Sequence, residues 1–230
     1  MKAIETLYNG YRFRSRLEAR WAVFFDAIGI KYQYEPEGYE FTDGTKYLPD
    51  FFLPDANEYF EVKGEMNSDD WHKIEMLENE SGKPVAIGYS DFTFQASQNY
   101  GQYILDGSCE DSWLCKCGKC GHLYFLGSLG SWSCPSCGHY DGDNGFDVIL
   151  HGDHTSRWNN PEGQAKKALD QAKGARFEHG ENGTIGKEQL IKRYCENHKN
   201  DPSVSAMIKL YEKGEEFAKQ YLLRKSVETL

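Results

Sequence analysis

Asp50, Glu61 and Lys63 are the residues of this chain whose types and spacing best suit chemistry. They fall within Tyr47 to Gly64, YLPDFFLPDANEYFEVKG, where two runs rich in Tyr, Phe, Val and Leu are separated by Pro54, Asp55, Ala56 and Asn57. Such runs flanking a short turn read as the neighbouring strands of a hairpin. Side chains alternate along a strand, so Glu61 and Lys63 share one side while Phe60 and Val62 share the other. A register that closes this turn adds Asp50 to the side of Glu61. Two ionised carboxylates about 4 Å apart repel by roughly 4 kcal/mol at an effective dielectric near 20. A shared proton or a divalent cation would relieve that repulsion, and Mg²⁺ accepts one or two protein carboxylates together with water and substrate phosphate. Lys63 cannot ligate a cation, but it can hold water or a phosphate beside one. The set therefore suits metal-assisted phosphodiester hydrolysis. A positioned acid or base contributes only about 10²–10⁴-fold, so metal electrostatics would have to supply much of the remainder. The plainer alternative makes Asp50 a turn residue and leaves Glu61 and Lys63 on the solvated face of an exposed strand.

An upstream helix weighs against that alternative. Leu17, Trp21, Phe24, Phe25 and Ile28 fall at helical spacing on one face, and Gly29 stops the run. Glu18 borders this stripe and supplies a third acid. Ser15 and Glu18 also match a capping box, so capping is the competing role for Glu18, and the two roles can coexist. The ordered series of Glu18 in FRSRLEARWAVFFDAIG, Pro49-Asp50, and Glu61-Val62-Lys63 resembles the PD-(D/E)xK nuclease superfamily, nearest to phage-associated nucleases and the phage endonuclease I-type, Holliday-junction-resolving branch. The likeness covers about the first ninety residues, with an echo in ARFEHGE at 175–181. It implies that Asp50 and Glu61 hold a catalytic Mg²⁺ or Mn²⁺, that Lys63 orients the attacking water, and that Glu18 completes the acidic set. It also implies DNA as the partner and a bacterial virus or prophage as the setting.

Cys117-x2-Cys120 and Cys134-x2-Cys137 form a second constellation, each in the local pattern Cys-x-x-Cys-Gly-His ending at His122 and His139. The glycine after each pair can take the left-handed conformation that folds backbone around a thiolate. Two such knuckles joined by a β-like excursion read as a four-thiolate zinc ribbon. Four thiolates leave no open position, so the zinc is expected to be structural, and its loss should unfold the segment. Cys115 ranks second to Cys117 as a ligand, whereas Cys109 and Cys195 read as ordinary thiols. The glycine between the second cysteine and the histidine argues against c-type haem attachment. His151, Asp153 and His154 read as structural or solvated, with no convincing third ligand.

The elements that must position these residues follow from patterning. Residues 1–13 read as a short strand or arm, and Tyr32 to Tyr34 and Tyr39 to Phe41 as strands. Asp43-Gly44 turns the chain back into the Tyr47 strand. Ser68, Asp69 and Asp70 open a helix whose buried stripe is Trp71, Ile74 and Leu77, and Gly82-Lys83-Pro84 closes it. Val85 to Ile87 is then expected as a central strand parallel to an earlier one, because a helix precedes it. Phe146 to Leu150 reads as a final core strand. Asn160-Pro161 opens a helix with a small-residue face of Ala165, Ala168, Leu169, Ala172 and Ala175. A polar helix at Lys187 to Glu196 precedes a long amphipathic one whose buried face is Met207, Leu210, Tyr211, Phe217, Tyr221 and Leu222.

The 230 residues carry a net charge of −10, with 39% hydrophobic, 27% charged and 14% aromatic content. These values fit a folded soluble protein rather than a disordered one, and the net charge argues against nonspecific coating of nucleic acid. Basic residues gather at the flanks instead. Arg12, Arg14 and Arg16 at one end, and Lys166, Lys173 and Arg176 at the other, are the candidate phosphate contacts; each taken singly is also an ordinary solvated side chain. The opening MKAIETLYNGYRFRSR lacks an apolar signal core, and no apolar run reaches membrane-spanning length. A cytoplasmic location is expected, where the seven cysteines stay reduced.

The expected fold class is α+β (α/β): a restriction-endonuclease-like core with a mixed central sheet flanked by helices, a zinc ribbon, and a helical C-terminal region. The corresponding segments are 1–108 for the core, 109–145 for the ribbon, and 146–230 for the last strand and the helices. The expected function is Mg²⁺-dependent DNA endonuclease activity. The alternatives are an inactive nuclease-like module binding nucleic acid or protein through the ribbon, and a dimeric four-way-junction resolvase. The helical tail has three open roles: closing over the core, binding DNA, or pairing two subunits.

Overall fold

The computed structural model describes residues 4–96, 112–127, 133–140, 147–153, 163–177 and 201–215, together with 191, 194, 195, 198, 217–219, 221, 222 and 225. Its contacts divide the chain into two compact units, one comprising Met1–Ala19 and Ala175–Leu230, the other Arg20–Gly174. In the first unit an Asn9-Gly10 turn, with φ of 46° and 79°, joins β1 (Thr6–Tyr8) to β2 (Tyr11–Phe13). Two successive left-handed residues match the twist of a two-residue hairpin, so the expected strand or arm is a hairpin. Helix α1 (Arg16–Ile28) begins in this unit and continues into the other.

In the larger unit, a five-stranded sheet has the order β3-β6-β7-β8-β9, formed by β3 (Gln33–Tyr34), β6 (Phe51–Leu53), β7 (Glu58–Val62), β8 (Val85–Gly88) and β9 (Phe94–Ala96). A separate hairpin pairs β4 (Tyr39–Glu40) with β5 (Lys46–Tyr47). The β6–β7 hairpin pairs Phe51 with Phe60 and Leu53 with Glu58, leaving Pro54 to Asn57 as the turn. Between β7 and β8 the chain forms α2 (Ser68–Ser81), and β8 returns parallel to β7 with Glu61 opposite Ile87. The other pairings of this sheet are antiparallel, so the sheet is mixed and flanked by helices, an α+β architecture. Asn67, one residue earlier than the sequence suggests, caps α2 in a reciprocal box with Asp70, and Gly82 at φ 63° ends the helix.

Alternation on β7 assigns the two faces. Phe60 meets Trp21 and Phe25 of α1 at ring-centroid distances of 4.8 and 5.0 Å. Tyr59 faces the opposite way and joins Ile74 and Leu77 of α2, with Val85, Ile87 and Phe41, in a buried cluster. Glu61 and Lys63 follow Tyr59 onto the α2 face.

The ribbon belongs to this same unit. Its three strands have the order β11-β10-β12, comprising β10 (Trp113–Lys116), β11 (Leu123–Leu126) and β12 (Asp147–His151). The strand expected at Phe146 to Leu150 as the last one of the core therefore forms, but pairs with β10 of the ribbon instead. The core and ribbon sheets meet where the Phe94 N–H donates to Gly152 O at 2.8 Å and the Ala96 N–H to Ser112 Oγ at 3.0 Å.

Helix α3 (Gln164–Gly174) buries Ala165, Ala168, Leu169 and Ala172, the small-residue face read from the sequence; Ala175 lies beyond its end. Asn160-Pro161 and most of Lys187 to Glu196 lie outside the described residues. Helix α4 (Pro202–Glu212) packs Met207 and Tyr211 around Ile191, Val204 and Leu222. The long amphipathic helix is interrupted, because Gly214 at φ 82° turns the chain, and Phe217, expected on the buried face, is 55% exposed. Among the described residues no helix is long and apolar enough to cross a membrane.

Candidate active site and metal centre

Asp50 and Glu61 sit directly across the open end of the β6–β7 hairpin, one step beyond the Phe51–Phe60 pair. The Asp50 N–H donates to Glu61 Oε1 at 3.1 Å, and Asp50 Oδ2 accepts from the Val62 N–H at 2.8 Å. Glu61 is fully buried. An ionised carboxylate there is held only by strong donors, and two more converge on Oε2: the Lys63 ammonium at 3.2 Å and the Tyr47 hydroxyl. Burial pulls the Lys63 pKa down, but the charges of Glu61 and Asp50 outweigh it and hold the amine above its ordinary range. Burial, and then the negative charges of Glu61 and Asp50, push the Tyr47 phenol far up, so it stays a donor. Tyr47 is the member of this group that sequence reasoning missed. Its only signal was its position three residues before Asp50 in YLPD.

Glu18 is 8% exposed and caps α1. Its N–H donates to Ser15 Oγ at 3.1 Å, its carboxylate takes the Ser15 hydroxyl, and Oε2 accepts from the Arg14 N–H at 3.1 Å. It lies in the unit containing the N-terminal hairpin, whereas Asp50, Glu61 and Lys63 lie in the other.

The basic residues read as phosphate contacts are also divided. Arg12 and Arg14 are exposed and Arg16 is half-buried in the first unit, and Arg12 pairs with Glu5 at 3.6 Å. Arg176 is exposed in the same unit. In the larger unit Lys166 pairs with Asp170 at 3.2 Å on α3, and Lys173 Nζ lies 5.9 Å from the Phe92 ring centroid.

The four cysteines form the second centre. The sulfur atoms of Cys117, Cys120, Cys134 and Cys137 all lie within 4.8 Å of one another, with Cys117–Cys137 at 3.8 Å and Cys120–Cys134 at 3.5 Å. Tetrahedral ligands at a zinc–sulfur distance of about 2.3 Å stand roughly 3.8 Å apart, so the cluster could hold a metal ion and is compatible with structural zinc. Both knuckles fold identically: Gly121 N–H to Cys117 O at 2.9 Å and Gly138 N–H to Cys134 O at 2.8 Å, with both glycines at positive φ. Tyr124, also missed by sequence reasoning, places its hydroxyl 3.0 Å from Cys134 Sγ. Burial raises the Cys134 pKa, but that hydroxyl and the Cys137 N–H outweigh it and hold the thiol at about 7. Cys115, the runner-up ligand, is buried on β10 and stands outside the cluster. His151 packs edge-on against Trp113, while His154 and Cys109 lie outside the described residues.

The ribbon seats on the turn that separates the two acids' strands. Ser136, between Cys134 and Cys137, donates to Asp55 O and lies 3.0 Å from His122 Nδ1, and His122 Nε2 stands 4.0 Å from Asp55 Oδ2. At the far side of the turn Glu58 accepts from the Phe125 N–H at 3.2 Å, and the Phe125 ring packs tilted against Phe60 at a centroid distance of 4.9 Å.

Comparison with family models, with curated proteins and with solved structures finds no match.

Proposed function

We propose that this chain is a Mg²⁺-dependent DNA endonuclease of the PD-(D/E)xK type, with a structural zinc in its four-cysteine ribbon. The observation that carries this reading is the convergence of Asp50, Glu61 and Lys63 at the end of one hairpin on the α2 face of the sheet. Their donor chemistry fits the cation: two adjoining carboxylates, with neither sulfur nor imidazole, suit a hard oxygen-seeking ion. Asp50 and Glu61 would hold it. When bound, it would polarise the scissile phosphate and neutralise charge that develops there. Lys63 is cationic at neutral pH and so donates rather than accepts; beside the scissile phosphate it orients water or binds a phosphate oxygen. Exposed Arg12, Arg14 and Arg176, with half-buried Arg16, are the proposed DNA contacts of the first unit, and Lys166 and Lys173 those of the other.

The test is cleavage by zinc-loaded protein, with Mg²⁺ or Mn²⁺, of linear, nicked, branched and single-stranded DNAs. Lys63→Ala should lose cutting on every substrate the wild type cuts. Preference for a four-way junction cut symmetrically would add the resolvase reading. No cleavage of any substrate would favour the inactive binding module.

A further inference from the structure

The Glu61 carboxylate has donors of two kinds. The Asp50 N–H and the Lys63 ammonium belong to the hairpin that carries the acids, whereas the Tyr47 hydroxyl arrives from β5 of a separate two-stranded hairpin. The Tyr47 ring is anchored independently: it lies 5.8 Å from the Phe41 ring and packs against the cluster of Ile74, Leu77 and Tyr59. Lys63 and Tyr47 both aim at the same oxygen, Oε2, and Lys63 Nζ stands 5.9 Å from the Tyr47 ring centroid. If Lys63 turns toward substrate, one of the two donors on Oε2 leaves a carboxylate that has no solvent contact to replace it.

We infer that Tyr47 is a positioning residue for the cation: its hydroxyl holds the Glu61 carboxylate in line with Asp50 independently of Lys63, so that the pair stays formed while the lysine serves the substrate. The inference rests on the nuclease reading, since it assigns Asp50 and Glu61 to one ion. A ring without the hydroxyl would fill the same space, which separates positioning from packing. Hydrogen-bond partners of ligating carboxylates typically contribute 10–100-fold to metal affinity.

The test is calorimetric titration of Mn²⁺ into the zinc-loaded full chain without DNA, comparing wild type, Tyr47→Phe and Asp50→Ala, with thermal unfolding of each in the absence of divalent ion. Wild type should bind Mn²⁺, Asp50→Ala should not, and Tyr47→Phe should bind about tenfold or more weakly with little change in metal-free melting. In Mg²⁺-dependent cleavage, Tyr47→Phe should raise the half-saturating Mg²⁺ concentration more than it lowers the rate at saturation. Unchanged or tighter Mn²⁺ binding by Tyr47→Phe, beside loss in Asp50→Ala, overturns the role of Tyr47 and leaves the nuclease reading standing. Equal binding by wild type and Asp50→Ala overturns both. Should Tyr47→Phe not fold, 4-fluorophenylalanine at position 47 keeps the ring, fills the hydroxyl's place without donating, and carries the same comparison.

Discussion

Asp50 and Glu61 hold one another through backbone of the opposite strand: the Asp50 N–H reaches Glu61 Oε1 at 3.1 Å, and Asp50 Oδ2 receives the N–H of Val62, next to Glu61, at 2.8 Å. The arrangement fixes both carboxylates to the hairpin register, so their proximity follows from strand pairing. It also concentrates negative charge around a fully buried group, which Lys63 balances.

Removing that balance should cost stability. Lys63→Met leaves Glu61 buried with one charged partner fewer, and such losses are worth about 3 kcal/mol. Urea unfolding should show the loss, and adding Glu61→Gln should restore part of it because the pair is coupled. Additive effects of the two substitutions would mean that the ion pair is not maintained in solution.

Glu58 should give the protein an unusual pH dependence. Burial pushes its pKa from 4.5 up to about 8, with the Phe125 N–H pulling weakly the other way. The folded state therefore keeps this proton up to about pH 8, whereas the unfolded chain releases it near 4.5. Between those values the folded state binds more protons, so this contribution to stability is complete below the window and is lost as pH rises through it. The full effect is on the order of 5 kcal/mol. Glu58→Gln keeps an oxygen acceptor for Phe125 and should flatten the fall in melting temperature between pH 5 and pH 8; an unchanged slope would assign that fall to other groups.

Stripping metal from the four cysteines should be felt at the β6–β7 hairpin as well as in the ribbon. Ser136 and His122 are folded by the knuckles and meet Asp55 in the β6–β7 turn. Treatment with a thiol-binding mercurial and chelator should abolish amide protection at 117–126 and 133–140, and should raise hydrogen exchange at 55–57. Protection at the turn that survives metal loss would show that the ribbon does not brace it.

Gly88 is required for close approach. A Cβ there would lie 2.5 to 2.6 Å from Trp21 and Phe60 ring atoms, well inside contact distance. Gly88→Ala should destabilise by about 2 kcal/mol or more, the usual result of overpacking, measurable as a lower denaturation midpoint with the sheet retained.

Local chemistry made much of this architecture legible. Pro54 to Asn57 marks a turn because it interrupts two aromatic-rich runs, and the pairing of Phe51 with Phe60 follows directly, bringing Asp50 opposite Glu61. A helix between two apolar runs likewise implied the parallel β7–β8 pair. The duplicated Cys-x-x-Cys-Gly-His encodes two knuckles of the same geometry, and their four sulfurs meet. Less was legible where a residue acts on a partner distant in sequence. The Tyr47 hydroxyl finds Glu61 through the packing of a different hairpin. Glu58 is buried where it accepts from the N–H of Phe125, 67 positions away, a contact that no local pattern marks. The β12 strand carries no local sign that β10 rather than the core is its partner. Asn9-Gly10 was a readable turn signal, and reading residues 1–13 as one short strand or arm passed over it.

The most direct measurement is nicking of supercoiled plasmid DNA by zinc-loaded wild type and Asp50→Ala protein, purified in parallel and compared in Mg²⁺ and after its removal. The wild type should cut only with Mg²⁺ present, and Asp50→Ala, folded by its thermal transition, should be slower by at least about 10²-fold. Equal cutting by both proteins, or cutting by the wild type that persists without divalent ion, would contradict the assignment of chemistry to Asp50 and Glu61.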